Sequence, residues 1–222
     1  MLTEDYFMRM INQMLAVLTQ ILYHKEAGQY QEAQILIDQS LEQLLGVRAV
    51  LLKQMDDPSV LHLLTTQGEL VPDRLAMVAD LYKLEGDLLA DQNQNHEALL
   101  DYQRALAFYL KISLVERDQG SRELDNKIDD LYQKLSGHEL PTYVLYQLFD
   151  YYERQGDYAR VEDQISGLLN KNDQMLEILP GIITYYATRL EMSDQELMAG
   201  GISRAEVKVK LDSVNKIWQD NE

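Results

Sequence analysis

The sequence predicts an all-α protein. Apolar residues recur at three- and four-residue steps almost throughout. The 222 residues include only 4 prolines and 11 glycines. No two-residue alternation outlasts "VKVKL" at Val207–Leu211, and that stretch also fits a helix.

The elements follow in order. The first is expected over 4–26, where Phe7, Ile11, Met14, Leu18, Ile21 and Leu22 share one helical face. A second spans 31–55 and a third 58–66, with Pro58 in the first turn, where its missing N–H does no harm. Pro72 opens 72–91 in the same way, and helices over 95–118, 121–136, 141–155 and 158–170 follow. Pro180-Gly181 should kink or break the apolar helix at 173–191. Ser193 with Glu196, and Ser203 with Glu206, have capping-box spacing, so 194–199 and 203–219 close the chain. No low-complexity linker divides it, which predicts a single domain over 1–222.

Charge and composition exclude several functions. A formal charge of −17 is wrong for a nucleic-acid backbone or an anionic membrane surface. The acidity is uneven: residues 200–222 balance four Lys/Arg against four Asp/Glu. Without cysteine there is no disulfide, thiolate nucleophile or cysteine zinc site. Glu4 and Asp5 stand where a signal peptide wants positive charge, and the uncharged run Ile178–Thr188 is too short for a bilayer. The expected compartment is the cytoplasm.

Three segments superpose without gaps: "EAGQYQEAQILIDQSL" (26–41), "DQNQNHEALLDYQRAL" (91–106) and "RQGDYARVEDQISGLL" (154–169). Gly28, Asn93 and Gly156 share a column, as do Tyr30, Asn95 and Tyr158, then Ala33, Ala98 and Val161. Gly or Asn can take the left-handed backbone that ends a helix. The aromatic covers the turn, and the small residue lets the second helix lie close against the first.

That pattern resembles the tetratricopeptide repeat, over about 14–45, 79–110 and 142–173. The middle unit matches best, with Tyr82 at the aromatic position, Gly86 at the small one, then Ala98, Tyr102 and Ala105. In the third, Phe149 takes the small position. In the first, Val17, Ile21 and His24 depart from the pattern, and the closing proline is replaced throughout by Leu45, Leu110 and Asp173. The units stand 65 and 63 residues apart, where the family spaces them by about 34, so extra helices must intervene. The opening "EDYFMRMINQML" also resembles the start of a bacterial family of unassigned function, which implies no activity.

The resemblance implies a concave groove lined by first-helix positions. These are Leu15, Leu18, Leu22, Lys25 and Glu26, then Asp80, Lys83, Asp87, Ala90 and Asp91, then Tyr143, Tyr146, Asp150, Glu153 and Arg154. An acidic groove ending in tyrosines implies a basic protein or peptide ligand. Met8, Met10 and Met14 suit a core or a homodimer seam. Val207, Leu211, Val214 and Trp218 form a stripe on 203–219, which either caps the helix stack or joins two copies.

Chemical motifs are few. Asp91, Asn93 and Asn95 match the first ligand positions of a calcium loop, but His96 and Tyr102 stand where Gly and a bidentate Glu belong. The four histidines are isolated, and no glycine cradle for phosphate or nucleophile elbow occurs. "AGGIS" (199–203) is a helix break before a capping serine. Asp56/Asp57 and Asp129/Asp130 are adjacent, so they diverge on a helix. No catalytic residue, metal or cofactor is expected, and the reading is a protein- or peptide-binding scaffold. Two alternatives stay open: a helical sensor with a closed, partly apolar pocket near Tyr146 and Asp150, and an enzyme using Asp, Glu, Tyr or His in a cleft.

Overall fold

The structure, a computed structural model, describes the backbone of residues 2–66, 69–115, 122–171 and 175–221, and their side chains except 2–13, 66, 69 and 175. The side chains of Met8 and Met10, residue Asp173, the end of the helix expected over 95–118 and the start of the one expected over 121–136 lie outside what is described. Twelve helices and one four-residue ladder make up the described residues. They fall into two compact units, Met1–His138 and Glu139–Glu222, where the absence of a linker had predicted one domain. Gly137, with φ +80°, and Pro141 mark the division.

Unit 1 begins with α1 (Leu2–Glu26) and α2 (Tyr30–Leu45). The helix expected over 31–55 stops early, because Gly46 adopts φ +71° and its N–H returns to the Glu42 carbonyl. The Glu42 carboxylate then accepts from Ala49 N–H at 2.9 Å, starting α3 (Ala49–Leu52). Helix α4 (Asp57–Leu63) is capped by Asp56, which accepts from Ser59 N–H. The expected 58–66 is cut short by a ladder of β1 (Thr65–Thr66) and β2 (Glu69–Leu70), too small for alternation to register. Helices α5 (Pro72–Asp91) and α6 (Asn95–Val115) pair most extensively, and α7 (Arg122–Lys134) packs on α6.

Unit 2 holds α8 (Thr142–Gln155), α9 (Tyr158–Leu169), α10 (Met175–Leu190), α11 (Asp194–Ala199) and α12 (Arg204–Asn221). Helix α10 continues through Pro180, so of the expected kink or break the break does not occur. At the sixth position of the helix the proline removes one backbone hydrogen bond and the rest of the ladder carries on. Both expected capping boxes form: Ser193 pairs reciprocally with Glu196, and Ser203 with Glu206. Val207 and Val214 are buried where α12 packs along α10.

The three aligned bends close identically. Gly28, Asn93 and Gly156 have φ of +70°, +62° and +72°, and Asn93 is the one non-glycine with positive φ among the described residues. After each, an N–H reaches back to the carbonyl five residues earlier: Gln29 to His24, Gln94 to Leu89 and Asp157 to Tyr152. Behind them Ala33, Ala98 and Val161 are buried. A Cβ on Gly86 would stand 2.6 Å from the Tyr102 ring, so the small residue here admits the aromatic of the facing helix.

Tyr82 is fully buried, edge-on to Phe108 at 5.9 Å, with the Arg104 guanidinium 5.1 Å from its centroid. In the third bend's hairpin the same two columns hold Leu145 and Gly167, and a Cβ on Gly167 would meet Leu145 at 3.2 Å. Phe149, at the family's small position, turns instead to Tyr185, with centroids 5.2 Å apart.

Candidate functional site

Helix periodicity aligns Asp80, Lys83, Asp87 and Asp91 along α5. Each is engaged inside unit 1. Asp80 accepts from Lys127 Nζ at 2.8 and 3.2 Å and from the Tyr109 hydroxyl. Lys83 reaches Asp87 at 3.1 Å and Asp130 at 3.5 Å. Asp87 accepts from the Tyr102 hydroxyl at 2.8 Å and pairs with Lys134 at 3.2 Å. Asp91 meets Lys25 of α1 at 2.8 Å.

Lys127 and Lys134 lie two turns apart on α7, each over a tyrosine ring, Tyr109 at 5.5 Å and Tyr102 at 5.2 Å. Leu124, Ile128 and Leu131 hold the helix down. Burial pushes the Asp87 carboxyl up, but Lys83, Tyr102 and Lys134 outweigh it, and the net shift is downward. Much of the acidic line that sequence places in a groove is therefore answered by the chain's own lysines.

The opposite side of α5 carries a cluster that the sequence reading did not single out. Glu85 is 3% exposed; one carboxylate oxygen accepts from Gln34 Nε2 at 2.8 Å and from Lys53 at 2.7 Å, and the other has no hydrogen-bond partner. Asp38 joins through Gln34 at 2.9 Å and Lys53 at 3.4 Å. Arg104 binds Asp57 and the Met55 carbonyl, both at 2.7 Å. The sequence does hold one signal: Glu85 interrupts the stripe of Val78, Leu81 and Leu88, where the helix period demands an apolar residue.

Burial, and after it the Glu85 charge, pushes the Asp101 carboxyl up to about 8, against the pull of Arg104 and Lys53. The folded state thus holds a proton that the unfolded chain releases near pH 4. The stability tied to that proton is complete below about pH 4 and is lost as pH rises toward 8. Asp101→Asn should flatten this loss, read as the denaturation midpoint between about pH 5 and pH 8. A variant with the wild-type slope would place the proton elsewhere.

In unit 2, Tyr143, Tyr146 and Asp150 form one stripe on α8. The tyrosines are 45% and 43% exposed, and Asp150 is exposed. Burial, with the Glu153 charge after it, raises the Asp150 carboxyl, and Arg154 only partly offsets them. Arg154, an exposed residue, donates from Nε to the Asp150 carbonyl at 3.2 Å. Glu153 turns inward to Arg189, whose guanidinium sits between the rings of Tyr158 at 4.9 Å and Tyr185 at 4.5 Å.

The predicted groove residues therefore fall in two groups, ten in unit 1, on α1 and α5, and five in unit 2, on α8. Tyr146 and Asp150 do not line the described cavity of about 240 Å³, which is framed in unit 1 by Pro72, Asp73, Tyr109, Ile112, Glu123 and Lys127, among others. The Asp91–His96 stretch is the helix bend at Asn93, with Asp91 ion-paired. His24, at the first bend, donates from Nδ1 to Gln29 Oε1 at 2.6 Å. Among the described residues no three His, Asp or Glu side chains converge as a metal site, and no helix is long and apolar enough to cross a membrane.

A family model described as a family of unknown function (DUF6483) matches residues 1–219. The chain belongs to this family. The match takes in both compact units. No curated protein and no solved structure matches the chain.

Proposed function

We propose that the chain is a protein- or peptide-binding scaffold built from tetratricopeptide-like hairpins, acting without catalysis in the cytoplasm. Support for the hairpin reading comes from the common closure at Gly28, Asn93 and Gly156. The observation that carries the binding reading is the α8 stripe. Two tyrosines stand nearly half exposed beside the Asp150 carboxylate, on which the charges of Glu153 and Arg154 act. Tyrosine supplies stiff contact area with a polar tip, and Asp150 gains most from an incoming cation. The ligand is accordingly a short segment with a Lys or Arg next to an apolar residue.

Asp80 and Asp87 contribute less to capture, because Lys127 and Lys134 already neutralise them. Selection from a displayed random-peptide library tests the stripe. The wild-type chain should enrich Lys- and Arg-containing peptides, and the Tyr143→Ala, Tyr146→Ala, Asp150→Lys triple variant should bind them at least tenfold more weakly. Equal binding by the variant, or no enrichment by the wild type, removes the reading. The substituted side chains are exposed or lie at the surface of one helix, so an unchanged melting temperature separates lost binding from lost fold.

A further inference from the structure

Helix α1 has two apolar faces, and its own unit uses one of them. Met14 and Ile21 turn inward, 3% and 0% exposed. Leu15 and Leu22, each one residue further on, are 57% and 44% exposed, with Leu18 half-buried between them and Tyr23 beside them at 67%. Leu15, Leu18 and Leu22 have the three–four spacing of a coiled-coil seam, which buries a stripe along a second helix. In the sequence the same spacing reaches back to Ile11 and Met8, whose side chains lie outside those described.

Charge decides what covers this face. Met10–His24 contains no Asp, Glu, Lys or Arg, in a chain of net charge −17. Two copies of so acidic a protein repel over most of their surfaces. They approach at least electrostatic cost where both are uncharged. A basic partner would gain nothing from this strip and would be drawn to the carboxylates elsewhere. A stripe of like leucines is also self-complementary, as a two-fold contact requires.

We propose that the outer face of α1, centred on Leu15, Leu18 and Leu22, is the seam of a two-fold symmetric homodimer. Each copy supplies the same three leucines, and Tyr23 flanks them at one end. Unit 1 keeps its own core, because Met14 and Ile21 are buried about 100° round the helix from Leu15 and Leu22. The seam is independent of the α8 stripe, so either reading can fail alone.

Light scattering on the full chain is the test. The wild type should have twice the 25.7 kDa chain mass at micromolar concentration. Leu15→Ser with Leu22→Ser should weaken association about a hundredfold or more and return the chain mass, with unchanged helical circular dichroism. Because the chain has no cysteine, a single Leu18→Cys reports on geometry. It should cross-link two chains with a short bis-maleimide, whereas Val209→Cys, 65% exposed on α12, should not. A monomeric wild type overturns the proposal. So does a dimer that survives the serine pair, or one that cross-links through Val209→Cys and not through Leu18→Cys.

Discussion

Gly200→Ala should destabilise unit 2 by about 3 kcal/mol, the upper end of what an overpacked methyl costs. Gly200 is buried with an ordinary φ of −84°, so space, and not backbone freedom, demands the glycine. A Cβ there would stand 2.2 Å from the Tyr158 ring and 2.6 Å from the Gly156 carbonyl oxygen. The oxygen belongs to the bend between α8 and α9 and cannot rotate away. Ala159 N–H also donates to the Gly200 carbonyl at 3.0 Å, fixing the two turns together.

For a chain of this size about 3 kcal/mol corresponds to a melting temperature lower by roughly 6–12 °C. Gly181→Ala is the control. It adds the same methyl to an exposed helical position with no atom within 4 Å, and should stabilise by about 0.5–1 kcal/mol. A Gly200→Ala protein melting with the wild type would remove the close approach of these two turns.

Arg189→Leu is the second large effect, also about 3 kcal/mol. Arg189 is 9% exposed, and its guanidinium is ion-paired to Glu153 and held against two tyrosine rings. Removing one partner of a buried pair costs about 3–5 kcal/mol; Glu153 is 35% exposed and can rehydrate, which favours the lower figure. Arg189→Lys keeps the charge but not the flat surface that lies against both rings, so it should recover less than half the loss. Full recovery would show that charge alone holds the site. Tyr158 contacts both Gly200 and Arg189, so the double variant should lose less than the sum of the singles.

The bends were legible because backbone chemistry is local. Gly28, Asn93 and Gly156 announce a left-handed residue whatever surrounds them. Tyr82, Gly86 and Tyr102 were legible too, through the resemblance of their positions to those of the tetratricopeptide hairpin. Gly46 was missed because apolar spacing continues across "LLGVRAVLL" and hides the stop. The Leu145–Gly167 contact was hidden by an exchange of bulk: the middle hairpin puts Tyr82 against Arg104, while the third puts a smaller residue in each place. Of the candidate site, the sequence placed the expected groove residues on helices, and they lie on α1, α5 and α8. It did not reveal that Lys127 and Lys134 cover Asp80 and Asp87, because such pairing depends on how α7 crosses the hairpin. Glu85 did leave a trace, as a charge in an apolar stripe.

Arrays of helical repeats lengthen when a gene segment encoding one hairpin is copied, and each copy stacks on the last. The clasp around Arg104 and Glu85 restricts that route here. Both side chains draw ionic and hydrogen-bond partners from outside their own hairpin: Lys53, the Met55 carbonyl and Asp57 from the stretch after α3, and Gln34 from α2. A duplicated α5–α6 segment would carry an arginine and a glutamate toward the interior with neither answered. Copy number at this point in the chain is thereby tied to the irregular stretch that precedes it, and growth by tandem insertion would have to include both.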